Sequence, residues 1–207
     1  MVENLIWDFD GVILMSDAVR EKGFRMIFEN FESDAVEKLI KYHKANGGLS
    51  RYNKIRFFYQ DILKQSISND EVLSLANQFS QVMRYELVNK QLLNTEWIEL
   101  MTILPSSLNH HIASGSDENE LIFLCNELGI LHFFKSIHGS PTPKNDLVRN
   151  IMATNSYMIE DTILIGDAIN DYEAACENGI PFFGYNNFLL KQYGQYLGNL
   201  QQLPLFL

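Results

Sequence analysis

The sequence predicts an α/β fold in which a parallel β-sheet forms the core and an all-helical segment is inserted into it. Over residues 109–185, short strand-like stretches alternate with helical stretches, which is the pattern of consecutive βαβ units. Residues 4–13 form one further strand-like stretch near the start of the chain. We expect this first strand and the later ones to belong to one sheet, with the intervening block inserted between them.

The inserted block covers residues 17–90 and has the pattern of roughly four helices, without any strand pattern. Ser33 is the candidate N-cap of the second helix, and Ser68 or Asn69 is that of the fourth. The change in pattern at both ends indicates a separate module. The sequence therefore predicts two domains: a helical domain at residues 17–90 and a core domain made of residues 1–16 and 91–207.

The later part of the chain supplies the other strands and their flanking helices. A strand is predicted at residues 109–113, and the next helix has Ser116 as its N-cap and Gly129 as its stop signal. FFKSIHGS follows as strand and loop, and PKNDLVRNIMATN follows as a helix. TILIGDAINDYEAACENGI is predicted as a strand, an acidic loop and a helix, and PFFGYN is the last predicted strand.

Composition and charge exclude several kinds of partner. With 207 residues and 46% hydrophobic content, the chain has the size and composition of an ordinary globular protein. Its formal net charge of −10, with no Lys/Arg-rich stripe, argues against nucleic acid and anionic membrane surfaces. We see no membrane-spanning run and no signal peptide, and we expect Cys125 and Cys176 to be free buried thiols of a cytoplasmic protein. The oligomeric state stays open, with a monomer among the alternatives.

Two acids, Asp8 and Asp10, stand inside the apolar stretch LIWDFDGVIL. Burying one unpaired carboxylate costs free energy, and burying two together costs more, so either the stretch is exposed or a cation lies beside it. On a strand the two side chains face the same way, about 7 Å apart. A bend after Asp10 can bring the side chain of one acid and the backbone carbonyl of the other toward one point. Such hard oxygen donors suit Mg²⁺.

Polar residues also follow the other predicted strands, at the sheet edge where ligands bind in parallel α/β folds. They are Ser114 and Gly115 after one strand, Asp167, Asn170 and Asp171 after another, and Lys144 in a loop that can join them.

Four of these segments resemble the motifs of the haloacid dehalogenase superfamily, and they occur in that family's order. They are DFDGVIL, IASGS, the lysine of GSPTPKNDLV, and ILIGDAINDYEAA. The resemblance covers nearly the whole chain, and the helical block lies where the family inserts its cap. It implies a Rossmann-like parallel-sheet core with an inserted all-helical, C1-type cap, in the branch of phosphatases and β-phosphoglucomutase.

The resemblance also implies roles for single residues. Asp8 matches the nucleophile that forms an aspartyl-phosphate, and Asp10 matches the general acid/base. Ser114, with the Gly115 amide, matches the group that holds the phosphate, and Lys144 matches the lysine that neutralises the nucleophile and the phosphoryl group. These four side chains are the predicted catalytic set.

The resemblance also implies a Mg²⁺ site. Asp167 matches a direct ligand, and Asp171 and Asn170 match its supporting residues. The predicted metal set is Asp8, Asp10, Asp167 and Asp171, and the predicted phosphate and substrate set is Gly11, Ser114, Gly115, Lys144, Arg51 and Lys54.

Three of these assignments have an alternative. Ser114 competes with Ser116, and we favour Ser114 because Ser116 is the better N-cap. Lys144 competes with Lys135, and the family's loop favours Lys144. In the glycine-rich stretch NGGLSRYNK, Arg51 could fork onto a second anionic group of the substrate. Lys54 could add a point charge there. The alternative is a helix that starts at Ser50 and carries two solvated cations.

The predicted function is that of a Mg²⁺-dependent phosphatase of a small phosphorylated metabolite, with a sugar phosphate as the first guess. A β-phosphoglucomutase-like mutase is one alternative, although Arg20 stands where many relatives have a histidine. A binding or regulatory protein on the same scaffold is another. The dehalogenase branch is disfavoured because it lacks the second aspartate, which this chain keeps as Asp10.

Overall fold

A computed structural model describes residues 2–207 and contains one six-stranded parallel sheet. The strand order is β3-β2-β1-β4-β5-β6, so the first strand of the chain lies in the middle of the sheet. The predicted α/β parallel-sheet fold is therefore confirmed. The strands are β1 (Asn4–Trp7), β2 (Asn109–Asp117), β3 (Ser136–Ser140), β4 (Thr162–Gly166), β5 (Phe182–Tyr185) and β6 (Gln195–Leu197).

Helices cover both faces of the sheet, which explains why its central strands are apolar almost throughout. Leu5 and Trp7 of β1 belong to one hydrophobic cluster, and Ile6, which points the other way, belongs to a second cluster. The helices of the core are α5 (Thr95–Ile103), α6 (Glu118–Glu127), α7 (Lys144–Asn155) and α8 (Ile169–Glu177). The sequence analysis did not predict α5 or β6.

The segment between β1 and α5 is helical, as the sequence predicts. Its helices are α1 (Asp17–Ile27), α2 (Ser33–Ala45), α3 (Arg51–Phe57) and α4 (Asn69–Glu86), with a π-helical turn at Phe58–Ile62. Ser68 caps α4 in a capping box with Glu71, as predicted. Ser33, however, is the first residue of α2, and Glu32 occupies the N-cap position without a side-chain hydrogen bond.

The two connections between the helical block and the sheet run side by side. The Met15 N–H donates to the Leu92 carbonyl at 2.7 Å, and the Asn94 N–H donates to the Ile13 carbonyl at 2.9 Å. This paired crossing lies next to the boundaries predicted at residues 16 and 90, although the division into two domains stays a prediction. None of the described helices is long and apolar enough to cross a membrane.

The two cysteines are unpaired, as predicted, but only one of them is buried. Cys125 of α6 is fully covered, whereas Cys176 of α8 is exposed. The expectation of two buried thiols was therefore wrong for Cys176. The apolar positions of α8 that pack on the sheet are Ala174 and Ala175, and the next residue points away from it.

Candidate active site

The carboxyl ends of the strands bring three aspartates together. Asp8 follows β1, and Asp167 and Asp171 follow β4 in the loop and first turn of α8. Each of them offers an oxygen, and these oxygens all lie within 4.8 Å of one another. The structure thus brings together the acids that the sequence placed at two separate strand ends.

Lys144, the first residue of α7, joins this cluster. Its ammonium nitrogen lies 2.8 Å from Asp8 Oδ1, and it also donates a short hydrogen bond to Asp171 Oδ1. The Asp8 contact is an ion pair without hydrogen-bond alignment, and Asp8 Oδ1 has no hydrogen-bond partner although Asp8 is only 3% exposed. Lys135, the alternative lysine, is exposed and contacts Asn109 and Tyr157 instead.

Electrostatics in this cluster favour a bound cation. Burial, together with repulsion from Asp171, raises the pKa of Asp8 to about 7, against the lowering effect of Lys144. Burial also raises the pKa of Asp167, with Asp8 and Asp171 adding to it. Burial alone would lower the pKa of Lys144, but Asp171 and Asp8 raise it above its ordinary value, so it stays charged. One ammonium faces three carboxylates, and a divalent cation would balance the remaining charge.

The donor set also fits Mg²⁺, which prefers carboxylate and carbonyl oxygens. Asp171 accepts from Lys144 on one oxygen and from the Ala168 N–H at 2.9 Å on the other, so its main task here is to hold Lys144. The side chains of Asp8 and Asp167 are the ones best placed to hold a metal ion.

Asp10 differs from the expectation, because its carboxylate lies outside the metal cluster. Its Oδ1 accepts from Ser16 Oγ at 2.5 Å and from Arg20 Nε at 2.6 Å, and its Oδ2 accepts from Ser116 Oγ at 2.5 Å. Asp10 as a metal ligand therefore stays a prediction, and because its carboxylate is held by these three donors, its backbone carbonyl is the candidate donor. Burial would raise the pKa of Asp10, but Arg20 and the two serines hold it below its usual range.

Ser116 is not the N-cap that the sequence predicts. Strand β2 continues to Asp117, whose carboxylate accepts from the Glu120 N–H at 3.1 Å and caps α6. Ser116 is instead a hydrogen-bond donor to Asp10. Ser114 is buried and accepts from the Ser116 N–H at 3.1 Å. Among the described residues its hydroxyl proton has no acceptor, so it is free to be donated to a phosphate oxygen.

Two glycines are required by the close packing of the site. Gly11 has a φ of +76°, and a Cβ there would lie 2.0 Å from Asp167 Oδ2. A Cβ on Gly115 would lie 2.1 Å from the carbonyl oxygen of Gly48. On its other side Gly48 approaches the side-chain amide of Asn170. The glycine-rich loop between α2 and α3 is therefore inserted between Gly115 in β2 and Asn170 in the first turn of α8.

Arg51 and Lys54 are buried on α3, and neither is solvated. The helix starts after Ser50 as the alternative expected, but Arg51 is only 4% exposed and Lys54 only 3%. The two terminal nitrogens of Arg51 each lie 2.7 Å from an oxygen of Glu120, so in this state its fork holds a protein carboxylate. Lys54 donates to the Gly47 carbonyl at 2.9 Å.

Glu120 links the helical block to the core. It is fully buried on α6, and besides Arg51 it accepts from Arg20 Nη1 at 2.9 Å. Because Arg20 also holds Asp10, a continuous chain of ion pairs runs from Asp10 through Arg20 and Glu120 to Arg51. Sequence reasoning missed Ser16 and Glu120 and gave Arg20 and Ser116 no contact with Asp10. The only sequence signals near these four residues are the DG turn at residues 10–11 and the polar run SGSDENE at residues 114–120.

The family model for haloacid dehalogenase-like hydrolases matches residues 5–185, which is most of the chain. The chain belongs to the haloacid dehalogenase-like hydrolase family. The resemblance carried by its four motifs is thereby confirmed, and with it the assignment of the chain as a hydrolase. A search of curated proteins found no significant match.

Solved structures of haloacid dehalogenase-like proteins share this fold over nearly their whole length. A family hydrolase from Streptococcus pneumoniae is 18% identical, with a TM-score of 0.74 and coverage of 99% of this chain and 98% of that one. β-Phosphoglucomutase from Clostridium difficile is 18% identical, with a TM-score of 0.75 and coverage of 98% and 93%. CbbY from Rhodobacter sphaeroides, crystallised with xylulose 1,5-bisphosphate, is 14% identical, with a TM-score of 0.76 and coverage of 98% and 96%.

The first prediction concerns Glu120, whose loss would leave two buried guanidinium groups without their shared partner. We expect Glu120→Ala to lower the free energy of unfolding by about 3–5 kcal/mol, as is typical when one member of a buried ion pair is removed. Urea unfolding of both this variant and Glu127→Ala, an exposed acid on the same helix, measures the difference. A loss below about 1 kcal/mol, as for surface pairs, would contradict the account.

Proposed function

We propose that this hydrolase is a Mg²⁺-dependent phosphatase that acts on a small phosphorylated metabolite through an aspartyl-phosphate at Asp8. The observation that carries the proposal is the buried carboxylate of Asp8, which has an oxygen without a hydrogen-bond partner, an ion pair to Lys144 and two further aspartates beside it. Family membership and the bisphosphate bound to CbbY support a phosphorylated substrate.

In the first step, an oxygen of Asp8 bonds to phosphorus while the bond between phosphorus and the leaving oxygen breaks. Lys144 offsets the charge of Asp8 and of the phosphoryl oxygens, and Ser114 donates its hydroxyl proton to one of them. Mg²⁺ held by Asp8, Asp167 and the Asp10 carbonyl would add two positive charges against the same oxygens. Asp10 gives a proton to the leaving oxygen.

In the second step, Asp10 accepts a proton from water while the water oxygen attacks phosphorus and the bond to Asp8 breaks. The low pKa of Asp10, set by Arg20 and the two serines, favours this basic form. Withdrawal of Arg20, the only charged partner of Asp10 among the described residues, would favour the protonation of Asp10 that the first step uses. Because Arg20 lies on α1, movement of the helical block would change the proton affinity of Asp10.

We assign residues 17–90 as the cap of this enzyme. Its glycine-rich loop reaches the active site at Gly115, and closure there would exclude bulk water from the phosphoryl group. The net charge of −10 and the unpaired thiols support a cytoplasmic enzyme without nucleic acid or membrane partners.

The metal proposal predicts complete dependence on a divalent cation. Chelation with EDTA should abolish hydrolysis of p-nitrophenyl phosphate, and Mg²⁺ should restore it. Ca²⁺ should not, because its larger and looser coordination misplaces the attacking oxygen. The measurement is the release of nitrophenol and phosphate before and after dialysis. Full activity after exhaustive chelation would overturn the metal assignment.

Substitution of Asp8 and substitution of Asp10 should impair the reaction in different ways. Asp8→Asn removes the nucleophile, so no leaving group should be released. Asp10→Asn keeps the nucleophile but loses general acid/base catalysis, which contributes about 10²–10⁴-fold to the rate. With p-nitrophenyl phosphate, whose leaving group needs little protonation, Asp10→Asn should give a stoichiometric burst and a hydroxylamine-labile phosphoryl label on Asp8.

The matched control is Asp146→Asn, a partly exposed acid of α7 outside the site, which should behave as the wild type. A correctly folded Asp10→Asn variant with neither burst nor label would show that Asp10 is not the acid/base. Conversion of a sugar 1-phosphate into its isomer without release of phosphate would identify the mutase alternative.

A further inference from the structure

We propose that the substrate carries a second anionic group, which binds in a cap pocket formed by Lys54 Nζ, Arg20 Nη2 and His43 Nδ1. The inference rests on the proposed phosphatase function and narrows its substrate class. A single carboxylate is the group that the charges of the pocket match best, so the expected substrate is a small phosphorylated hydroxy acid.

Three polar side chains of the helical block line the same cavity as the catalytic groups. Lys54, Arg20 and His43 share this cavity with Asp8 and Ser114, so one small molecule can touch both ends. The side chains come from three different helices of the block, α3, α1 and α2. The phosphoryl group would lie at the sheet end of the cavity, and the remainder of the substrate would lie at the cap end.

Polar atoms without partners mark the cap end of the cavity. Arg20 Nη2 and His43 Nδ1 have no hydrogen-bond partner, although both residues are only 6% exposed. Buried polar groups are nearly always hydrogen-bonded, since an unpaired one costs free energy. Both residues line the cavity, so a ligand bound there could supply the missing partners.

Of the three cationic side chains that line the cavity, one has no carboxylate partner in the described part of the chain. Arg20 and Arg51 are balanced by Asp10 and Glu120, to which they are ion-paired. Within residues 2–207, Lys54 has no carboxylate oxygen within 4.0 Å and donates only to a backbone carbonyl. A buried ammonium without a counter-ion is costly, and an anionic ligand would supply one.

The pKa values in the pocket agree with this count. Burial lowers the pKa of Lys54 to about 7, with Arg20 and Arg51 adding to the effect and Asp10 and Asp17 opposing it. Burial also lowers the pKa of His43 to about 3, with Lys54 and Arg20 adding to it, so the imidazole is neutral. With a pKa of about 7, Lys54 is only partly ionised at neutral pH, and a bound carboxylate would raise this pKa and so favour the charged ammonium. Asp17 also lines the cavity but is itself exposed, so solvent screens its repulsion.

The apolar wall of the pocket suits a short carbon skeleton. Phe24 stacks obliquely with His43 at 5.1 Å and with Phe79 at 4.4 Å between ring centroids, and all three rings line the cavity. Arg51 lies over the Phe79 ring at 4.8 Å, which closes the cavity on that side. The ligand between the catalytic aspartates and this wall is therefore small.

The test compares phosphate esters that differ only in the second charge. Phosphoglycolate and ethane-1,2-diol bisphosphate are compared with 2-hydroxyethyl phosphate, and 3-phosphoglycerate is compared with glycerol 3-phosphate. With Mg²⁺, the kcat/KM of the wild-type enzyme should be roughly ten- to a hundredfold higher for the ester that carries a carboxylate than for its neutral counterpart. This should hold for the two-carbon pair, the three-carbon pair or both. If kcat/KM is higher for the bisphosphate than for phosphoglycolate, the second anionic group of the substrate is a phosphate, and its assignment as a carboxylate is overturned.

The variant Lys54→Met should abolish this preference, lowering the ratio of acid to neutral ester to about one, whereas Lys54→Arg should retain part of it. The matched control is Lys41→Met, an exposed lysine on α2, which should keep the wild-type ratio. An enzyme that hydrolyses the neutral and acidic esters equally well would overturn the second-anion site while leaving the proposed phosphatase function intact. A preference that survives in Lys54→Met would also overturn it.

Calorimetric binding to Asp8→Asn separates the subsite from the chemistry. The same esters, titrated with Mg²⁺ present, should show a tighter Kd for the acid, and Lys54→Met should remove the difference. The wild type could hydrolyse none of these esters while the acidic ester still binds more tightly in a way that depends on Lys54. In that case the phosphatase proposal fails and the anion site stands. Equal Kd values for the acidic and neutral esters would overturn the anion site.

Discussion

The repulsion among three clustered carboxylates, two buried and one half-buried, is only partly relieved by one ammonium and is the constraint on which the active site depends. Asp8, Asp167 and Asp171 meet because parallel strands end at the same edge of the sheet. Burial, together with repulsion from Asp171, raises the pKa of Asp8 to about 7, and Lys144 offsets this only in part. The remaining negative charge would attract a divalent cation, and with that cation bound Asp8 would be an ionised nucleophile beside a neutralised phosphoryl site.

A second set of charges ties the helical block to the core. Glu120 holds Arg51 and Arg20, and Arg20 also holds Asp10, so the proposed acid/base is connected to the position of the cap. A residue that gives a proton in one step and accepts one in the next can benefit from surroundings that shift its proton affinity between the two steps. Here the contact with Arg20 favours the ionised form, and its release would favour the protonated form. In the proposed mechanism, the position of the helical block and the proton affinity of Asp10 would be coupled through the guanidinium group of Arg20.

The fold and the acids could be predicted from the sequence because their signals are local. The alternation of strands and helices, and the pair Asp8 and Asp10 in an apolar stretch, are visible within a few residues. Contacts such as that between Arg20 and Glu120, 100 residues apart, have no local signal. The error at Ser116 has the same origin. A serine before a helix is typical of an N-cap, and only the three-dimensional approach of Asp10 shows its other use.

The most direct test of the central claim is a crystal structure of the enzyme with Mg²⁺ and trifluoroberyllate, which mimics a phosphoryl group on a carboxylate. The account predicts beryllium bonded to an Asp8 oxygen, Mg²⁺ bound by Asp8 and Asp167, and Lys144 in contact with a fluoride. Beryllium on another residue, or a metal ion bound away from the three aspartates, would contradict it.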